Sequence, residues 1–518
     1  MTTESGAVQN DDDVLLATAL REAEVVMPSS GPLAEVVTPG TVQHEPMAAP
    51  KGPPQGAQSG SRGRFQIPDD KPIWRIMLIF LVPLMMSNIL QSVGQLASSI
   101  IVGRALGVNA LATVSGFFPL FFLLVSFTIG IGSASSILIG QAYGAGNQEK
   151  LRNTVGTSVT FTFLLGVVLA LLGGLFTQDI LHAIGTPANV LAGTEAYAKI
   201  MFWALPVLFV YFAYTTFLRG TGDSKTPFYF LIISTVLNLI LLPIFIFGWV
   251  GAPRMGVQGS AVATVVSTVV TLIALFVYLS KVKHPLRFDR DTARHLKIDT
   301  GILKLLIKIG IPSSIQMIMV SLSEIAVITF VNRFGSHATA AYGAVNQVAS
   351  YVQMPAISLG IASSIFGAQM IGAGKFGRLQ EIIRSAVSLN YLIGGVLVIV
   401  VYLFSGDVLS WFITSPGTLH TAHGLLMITL WSYLIFGNTS ILSGMMRASG
   451  TVLWPTLIGV AAIWGVEVPV AYYLSHRTSL GIDGIWVGYP AAFIVSFALQ
   501  SAYYLGVWKR RKVRQLAM

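Results

Sequence analysis

Residues Gly132–Gly146 read GSASSILIGQAYGAG, and Gly360–Gly374 read GIASSIFGAQMIGAG. Nine of these fifteen positions are identical at an offset of 228 residues. Small residues fall at every fourth place: Gly132, Ser136, Gly140 and Gly144, then Gly360, Ser364, Ala368 and Gly372. On a helix that spacing makes one smooth ridge, against which a neighbouring helix can approach closely. The flanks repeat as well. Pro83 pairs with Pro312 and Arg104 with Arg333 at an offset of 229. Gln141 and Gln369, Asp179 and Asp407, Arg219 and Arg447, and Pro227 and Pro455 pair at 228, and Gly256 and Gly259 match Gly481 and Gly484 at 225. The chain is therefore a tandem repeat.

Of its 518 residues, 53% are apolar and 10% charged, with a mean hydropathy of +0.71. Soluble proteins carry about 25% charged residues, so this is an integral membrane protein and the lipid bilayer is its first partner. Cysteine is absent, which excludes disulfides, thiolate metal sites and cysteine nucleophiles. The net charge of +10 is unevenly placed: residues 1–70 hold ten acids against four Lys/Arg, and the remainder twelve against twenty-eight. In a membrane protein such a basic excess reflects loop placement, and no motif for nucleic acid is present. Residues 1–70, rich in Pro, Gly, Ser and Ala, are predicted to be a disordered cytoplasmic tail.

From Pro72 onward, apolar runs able to cross a ~30 Å hydrocarbon layer recur. Twelve are predicted, at about 73–102, 110–142, 153–177, 197–218, 227–249, 257–280, 309–331, 338–370, 384–405, 424–446, 452–474 and 485–507. With both termini cytoplasmic, inside segments hold twenty-three of the twenty-eight Lys/Arg beyond residue 70, and the outside only Arg104, Lys199, Arg254, Arg333 and Arg477. That bias sets the orientation. Six spans per repeat put the halves in the same sense. Parallel repeats imply a pseudo-twofold axis along the membrane normal and a site between two bundles near the midplane. The expected plan is an all-α membrane protein: N-lobe 71–280, cytoplasmic linker 281–308, C-lobe 309–508 and basic tail 509–518.

Enzymatic readings fail. GTGDSKT at Gly220–Thr226 lacks the glycine that a phosphate loop places before its lysine, since Ser224 stands there. There is no HExxH, and the eight histidines show no ligand spacing. No cofactor is expected, and energy must come from an ion gradient or from the substrate's own. The first span carries Asn88, Gln91, Ser92, Gln95, Ser98 and Ser99 at steps of three and four, one wet stripe on an apolar helix. The seventh answers with Ser313, Gln316, Ser323 and Glu324. The stripes either face one substrate cavity across the axis or bond neighbouring helices, at ~0.6 kcal/mol per contact. Through the repeat Glu324 corresponds to Gln95. An intramembrane carboxylate is costly and by default functional, and no Lys or Arg lies near Glu324 in its own span, so it is the first candidate for ion coupling. Glu467, in the eleventh span, is the second. Aromatic residues crowd the second span (Phe117, Phe118, Phe121, Phe122) and the fourth (Phe202, Trp203, Phe209, Tyr211, Phe212, Tyr214). They suit lipophilic cations or ordinary packing.

The stretches IIVGRALGVNALATVSGFFPL, IGQAYGAG, FLRGTGDSKTP and GAQMIGAG resemble the multidrug and toxic compound extrusion (MATE) family. The resemblance covers all twelve spans. It implies a V-shaped pair of six-helix lobes, monomeric and in a bacterial plasma or inner membrane, exporting organic drugs and toxins in exchange for sodium ions or protons. Departures from the family pattern concern the coupling acids. Ser98 stands where many members carry a first-span aspartate, and Leu242 where one precedes the fifth-span proline. Phe436 and Asn438 occupy the region of a tenth-span acid, and Glu324 lies about one turn beyond the usual seventh-span glutamate. The alternative is a flippase for lipid-linked oligosaccharides or envelope polymers, from the wider superfamily. Such a cavity would be strongly cationic, whereas these spans are nearly free of Lys and Arg.

Overall fold

The computed structural model describes residues 71–288, 296–511 and 515–516. The tail expected at 1–70 lies outside the described residues, as do parts of the linker and of the basic end. All regular structure among the described residues is helical. The spans are α1 (Ile73–Leu106), α2 (Val108–Gly144), α3 (Gln148–Leu175), α4 (Ala188–Gly220), α5 (Lys225–Phe247), α6 (Val257–Lys281), α7 (Thr300–Asn332), α8 (Ser336–Gly372), α9 (Phe376–Leu403), α10 (the pair Pro416–Thr429 and Ser432–Ala448), α11 (Leu453–Arg477) and α12 (Ile482–Trp508). The two parts of α10 are bent by 43°. Tyr402 of α9 spans that break: its hydroxyl accepts from the Trp431 amide at 3.1 Å and donates to the Met427 carbonyl at 3.2 Å. Four helices, α4, α7, α9 and α10, start well before the apolar runs that announce them. α7 starts at Thr300 because the Asp299 carboxylate accepts from the Gly301 and Ile302 amides at 2.8 and 3.0 Å, an N-cap that apolar content does not reveal.

The repeat is visible in the backbone. α2 and α8, α3 and α9, α4 and α10, and α5 and α11 each begin 228 residues apart, and α6 and α12 begin 225 apart. The turns that follow α2 and α8 both use a left-handed glycine, Gly146 at φ 68° and Gly374 at φ 72°.

The small-residue ridge serves two neighbours. Its early part packs inside each lobe, Gly132 against Thr216 of α4 and Gly360 against Ser440 of α10. Its later part packs across the axis. A Cβ on Gly140 would lie 3.2 Å from the Ala368 Cβ, one on Gly144 would overlap the Gln369 carbonyl, and one on Gly372 would overlap the Gln141 carbonyl. The ridge therefore joins lobe to lobe as well as helix to helix within a lobe. At the same level the Gln141 Nε2 donates to the Ala448 carbonyl at 2.7 Å, and the Gln369 Nε2 donates to the Gly220 carbonyl at 2.9 Å. These bonds are equivalent through the repeat, each running from one lobe's ridge to the last turn of the other lobe's fourth helix. An apolar cluster of α1 (Ile73, Met77, Phe80, Leu84) with α7 and α8 fills the rest of the seam, and Phe80 meets Phe366 edge-on at 5.2 Å.

Candidate functional site

The seam ends about midway along the helices. Its hydrogen bond furthest from the glutamine pair, among the described residues, runs from the Ser314 hydroxyl to the Phe127 carbonyl at 3.5 Å. Beyond it the helices part, and α2 changes character: residues 130–142 are buried but for Ser133, whereas Val108, Asn109, Ala112, Ser115, Gly116, Phe118 and Pro119 are exposed. The buried apolar clusters divide in the same way: one joins both lobes at the end of α2 and α8, while those at their beginning stay within one lobe each, so the lobes enclose a cleft closed at the former end and open at the latter.

One wall follows from a single helical face. On α1 the buried seam residues Ile73, Met77, Phe80 and Leu84 step by three and four. Asn88, Gln91, Gln95 and Ser98 continue the same steps. The face is apolar where the lobes touch and polar where they separate. Gln91 and Gln95 are exposed and Asn88 is half-buried. Ser98 turns into its own lobe: its hydroxyl donates to the Asn238 Oδ1 at 3.4 Å, and the Asn238 Nδ2 donates to the Thr264 hydroxyl at 3.2 Å.

The opposite wall is acidic and aromatic. On α7, Gly310 packs against Ile131 of the N-lobe. Glu324 lies two heptads further along the same face, past the end of the seam, and is exposed there. Ser323, its neighbour, points into the C-lobe and is buried, its hydroxyl donating to the Val320 carbonyl at 2.7 Å. Glu467 is 4% exposed. It closes a π-helical turn, Ile463–Glu467, in the middle of α11. The buried positions of this helix run Thr456, Gly459, Ala462, Glu467 and Ala471, and the step of five is the inserted residue that carries the carboxylate inward. Gly488 lets α12 close on this turn, since a Cβ there would lie 2.8 Å from the Glu467 carbonyl. Around the carboxylate stand Tyr342 of α8, Tyr433 of α10 and Tyr489 of α12, near enough to sense its charge, as Glu324 does. The Tyr342 and Tyr489 hydroxyls are 2.9 Å apart, and Trp486 stacks on Tyr342 at 5.8 Å and 9°. Among the described residues neither Glu324 nor Glu467 has a hydrogen-bond or ion-pair partner, and no group of three metal-binding side chains occurs.

The MatE family profile matches residues 83–244 and again 312–473, one copy per lobe. The chain belongs to that family. It is 64% identical over 444 residues to a probable multidrug resistance protein of Bacillus subtilis, YoeA, covering 86% of this chain and 96% of that one. It is 26% identical over 424 residues to an FAD transporter of Shewanella oneidensis, covering 81% and 91%. A solved outward-facing multidrug resistance MATE family transporter shares the fold at a TM-score of 0.77 and 21% identity, covering 85% of this chain and 97% of that one. The two-lobed, twelve-span architecture expected from the repeat is the one present.

Within this MatE chain the residues singled out from sequence divide by location. Asn88, Gln91, Gln95 and Glu324 lie along the cleft. Gln316 is engaged inside the C-lobe, its Oε1 accepting from the Arg447 Nη2. Ser98 and Ser323 bond within their own lobes. Most aromatic residues of the second and fourth spans are core: Phe117, Phe202 and Phe209 pack together, as do Tyr211, Tyr214 and Phe217. The tyrosines around Glu467 escaped sequence reading. They lie on three different helices, and only the fold makes them neighbours.

Proposed function

We propose that this protein is a secondary active antiporter that exports lipophilic or cationic organic compounds in exchange for protons or sodium ions. It would work as a monomer in a bacterial plasma membrane with both termini cytoplasmic. The observation that carries this reading is the unpaired carboxylate couple, Glu324 and Glu467, in one wall of a cleft closed at one end. Two like charges in a partly dehydrated wall favour capture of a cation or a shared proton. The tyrosine hydroxyls can ligate or relay it, and the exposed Glu324 is the group an incoming cationic drug meets first. Cargo and coupling ion then compete for one negative site, which is the requirement for exchange. The sequence similarity to proteins named for multidrug resistance supports the cargo class. The near absence of Lys and Arg from the cleft walls disfavours the flippase alternative.

The test is export of a fluorescent lipophilic cation from proteoliposomes under an imposed proton or sodium gradient. Glu467→Gln and Glu324→Gln, at equal folded protein, are expected to lose gradient-driven export. Unimpaired export by both variants would overturn the coupling role.

A further inference from the structure

The closed end of the cleft carries a further inter-lobe bond, one without a twin among the described residues. The Gln141 side chain uses both ends of its amide. Its Nε2 donates to the Ala448 carbonyl, while its Oε1 accepts from the Leu516 backbone amide at 2.7 Å. Leu516 follows α12 and belongs to the C-lobe by chain, whereas Gln141 is on α2 of the N-lobe. The Leu516 side chain packs on Gly450, where a Cβ would come within 2.5 Å of its Cδ1, and it joins the apolar cluster that fills the seam. The preceding residue is also fixed, the Gln515 Nε2 donating to the Ile371 carbonyl at 2.8 Å. At the symmetry-related place Gln369 makes the equivalent bond to Gly220, with no segment bonded to its Oε1 among the described residues. The end of α12 is anchored as well, by the Trp508 Nε1 donating to the Ser449 hydroxyl at 2.9 Å.

We propose that the C-terminal residues Gln515 and Leu516 are a strap across the inner seam that biases the transporter towards the state closed at this end. The two glutamine bonds are common to both halves of the repeat, so they close the seam symmetrically. The strap adds a lobe-to-lobe hydrogen bond and an apolar anchor that must be released before the lobes can part here. It therefore acts on the population of the two states rather than on the chemistry of the cleft. This reading depends on the proposed export cycle only in that opening at this end is a step of it.

The chain has no cysteine, so spin labels can be placed without removing native thiols. Glu149→Cys in the first turn of α3 and Gly377→Cys in the first turn of α9 are exposed positions, one on each lobe. Inter-label distance distributions of the purified full chain report the open and closed populations without any cargo or gradient. Ending the chain at Arg514 is expected to raise the ratio of open to closed roughly fivefold to tenfold, the effect of about one net hydrogen bond with its packing. Leu516→Pro removes the amide donor and part of the apolar anchor but leaves the Gln515 side-chain bond in place, so it should produce part of that shift. An unchanged distribution in both variants overturns the proposal. So does a fall in thermal stability with no change of distribution, since the tail would then be a structural cap. Neither outcome depends on Glu324 or Glu467, so failure here is distinguishable from failure of the antiport reading.

Discussion

Where α7 of the C-lobe carries Glu324, α1 of the N-lobe carries Gln95. Where α12 carries Tyr489, α6 carries Thr264, and where Glu467 closes a π-helical turn in α11, Leu239 sits in an uninterrupted α5. The N-lobe answers its polar stripe with small uncharged groups that satisfy one another, Ser98, Asn238 and Thr264. The C-lobe leaves two carboxylates, Glu324 and Glu467, without partners among the described residues. Its helices are also the irregular ones: π-helical turns interrupt α9, α11 and the end of α12, and α10 is broken. The backbones repeat while the cleft chemistry does not. Packing at the seam constrains both copies alike, whereas the walls beyond it are free to diverge.

The largest effects should come from the part the lobes share. Gly144→Val and Gly372→Val each drive a side chain into a backbone carbonyl of the other lobe, which rotamer changes cannot relieve. Overpacking typically costs about 1–3 kcal/mol, here charged wholly against the closed seam. Both variants should lose export and show the seam labels apart, to the same extent. If only one of them did so, the two ridges would not be equivalent.

The next effect should separate the lobes. Glu324→Gln is expected to reduce ion-coupled export by roughly 5–150-fold, the usual range of a coupling free energy between two ligands. Adding Gln95→Glu restores the charge on the opposite wall, at the position related by the repeat. Export should not return, because that wall has no second carboxylate or tyrosine pair to share the ion. Recovery by the double variant would mean that net cleft charge is sufficient and the C-lobe arrangement is incidental.

How much of this was legible in the sequence follows from the kind of information each feature needs. The spans, their number and the twofold repeat are one-dimensional patterns of hydropathy and small residues, and they are present as expected. The stripe Asn88, Gln91, Gln95 is a periodicity on one helix, so its common face could be read too. The ridge was readable as a close-contact surface, but not the identity of its partner, because a smooth face suits a helix in the same lobe and one across the axis equally. The surroundings of Glu467 were hidden for two reasons. A π-helical turn shifts the register that periodicity assumes, and the tyrosines come from α8, α10 and α12. The bend in α10 left no proline or glycine at its break, where Leu430 and Trp431 stand.

A smaller effect should resolve the two halves of the seam. Among the described residues, Gln141→Leu removes the bonds to Ala448 and to Leu516, and Gln369→Leu the one to Gly220. With each net hydrogen bond contributing about 1 kcal/mol, Gln141→Leu should open the seam about fivefold further than Gln369→Leu in the same distance measurement. Equal opening would show that the strap bond contributes nothing.

The smallest expected effect is a pH dependence confined to the N-lobe's inner end. His284 follows α6, with its Nε2 4.0 Å from the Asp223 carboxylate and its Nδ1 accepting from the Leu286 amide at 3.1 Å. Burial pushes its pKa below the usual histidine value, and the Asp223 charge offsets this only in part. The folded protein therefore binds this proton less readily than the unfolded chain does, so the contribution of neutral His284 is complete above about pH 6.5 and is lost as pH falls through the lowered value. Protonation at Nδ1 also removes the acceptor of the Leu286 amide. The C-lobe has Thr451 in the place of Asp223, and Trp508 on Ser449 to hold the end of its last helix, neither of which titrates. His284→Asn offers the Leu286 amide a neutral acceptor, so between pH 7.5 and 5 it should lose less thermal stability than the parent. Identical losses would place the acid sensitivity elsewhere in the molecule and remove this difference between the lobes.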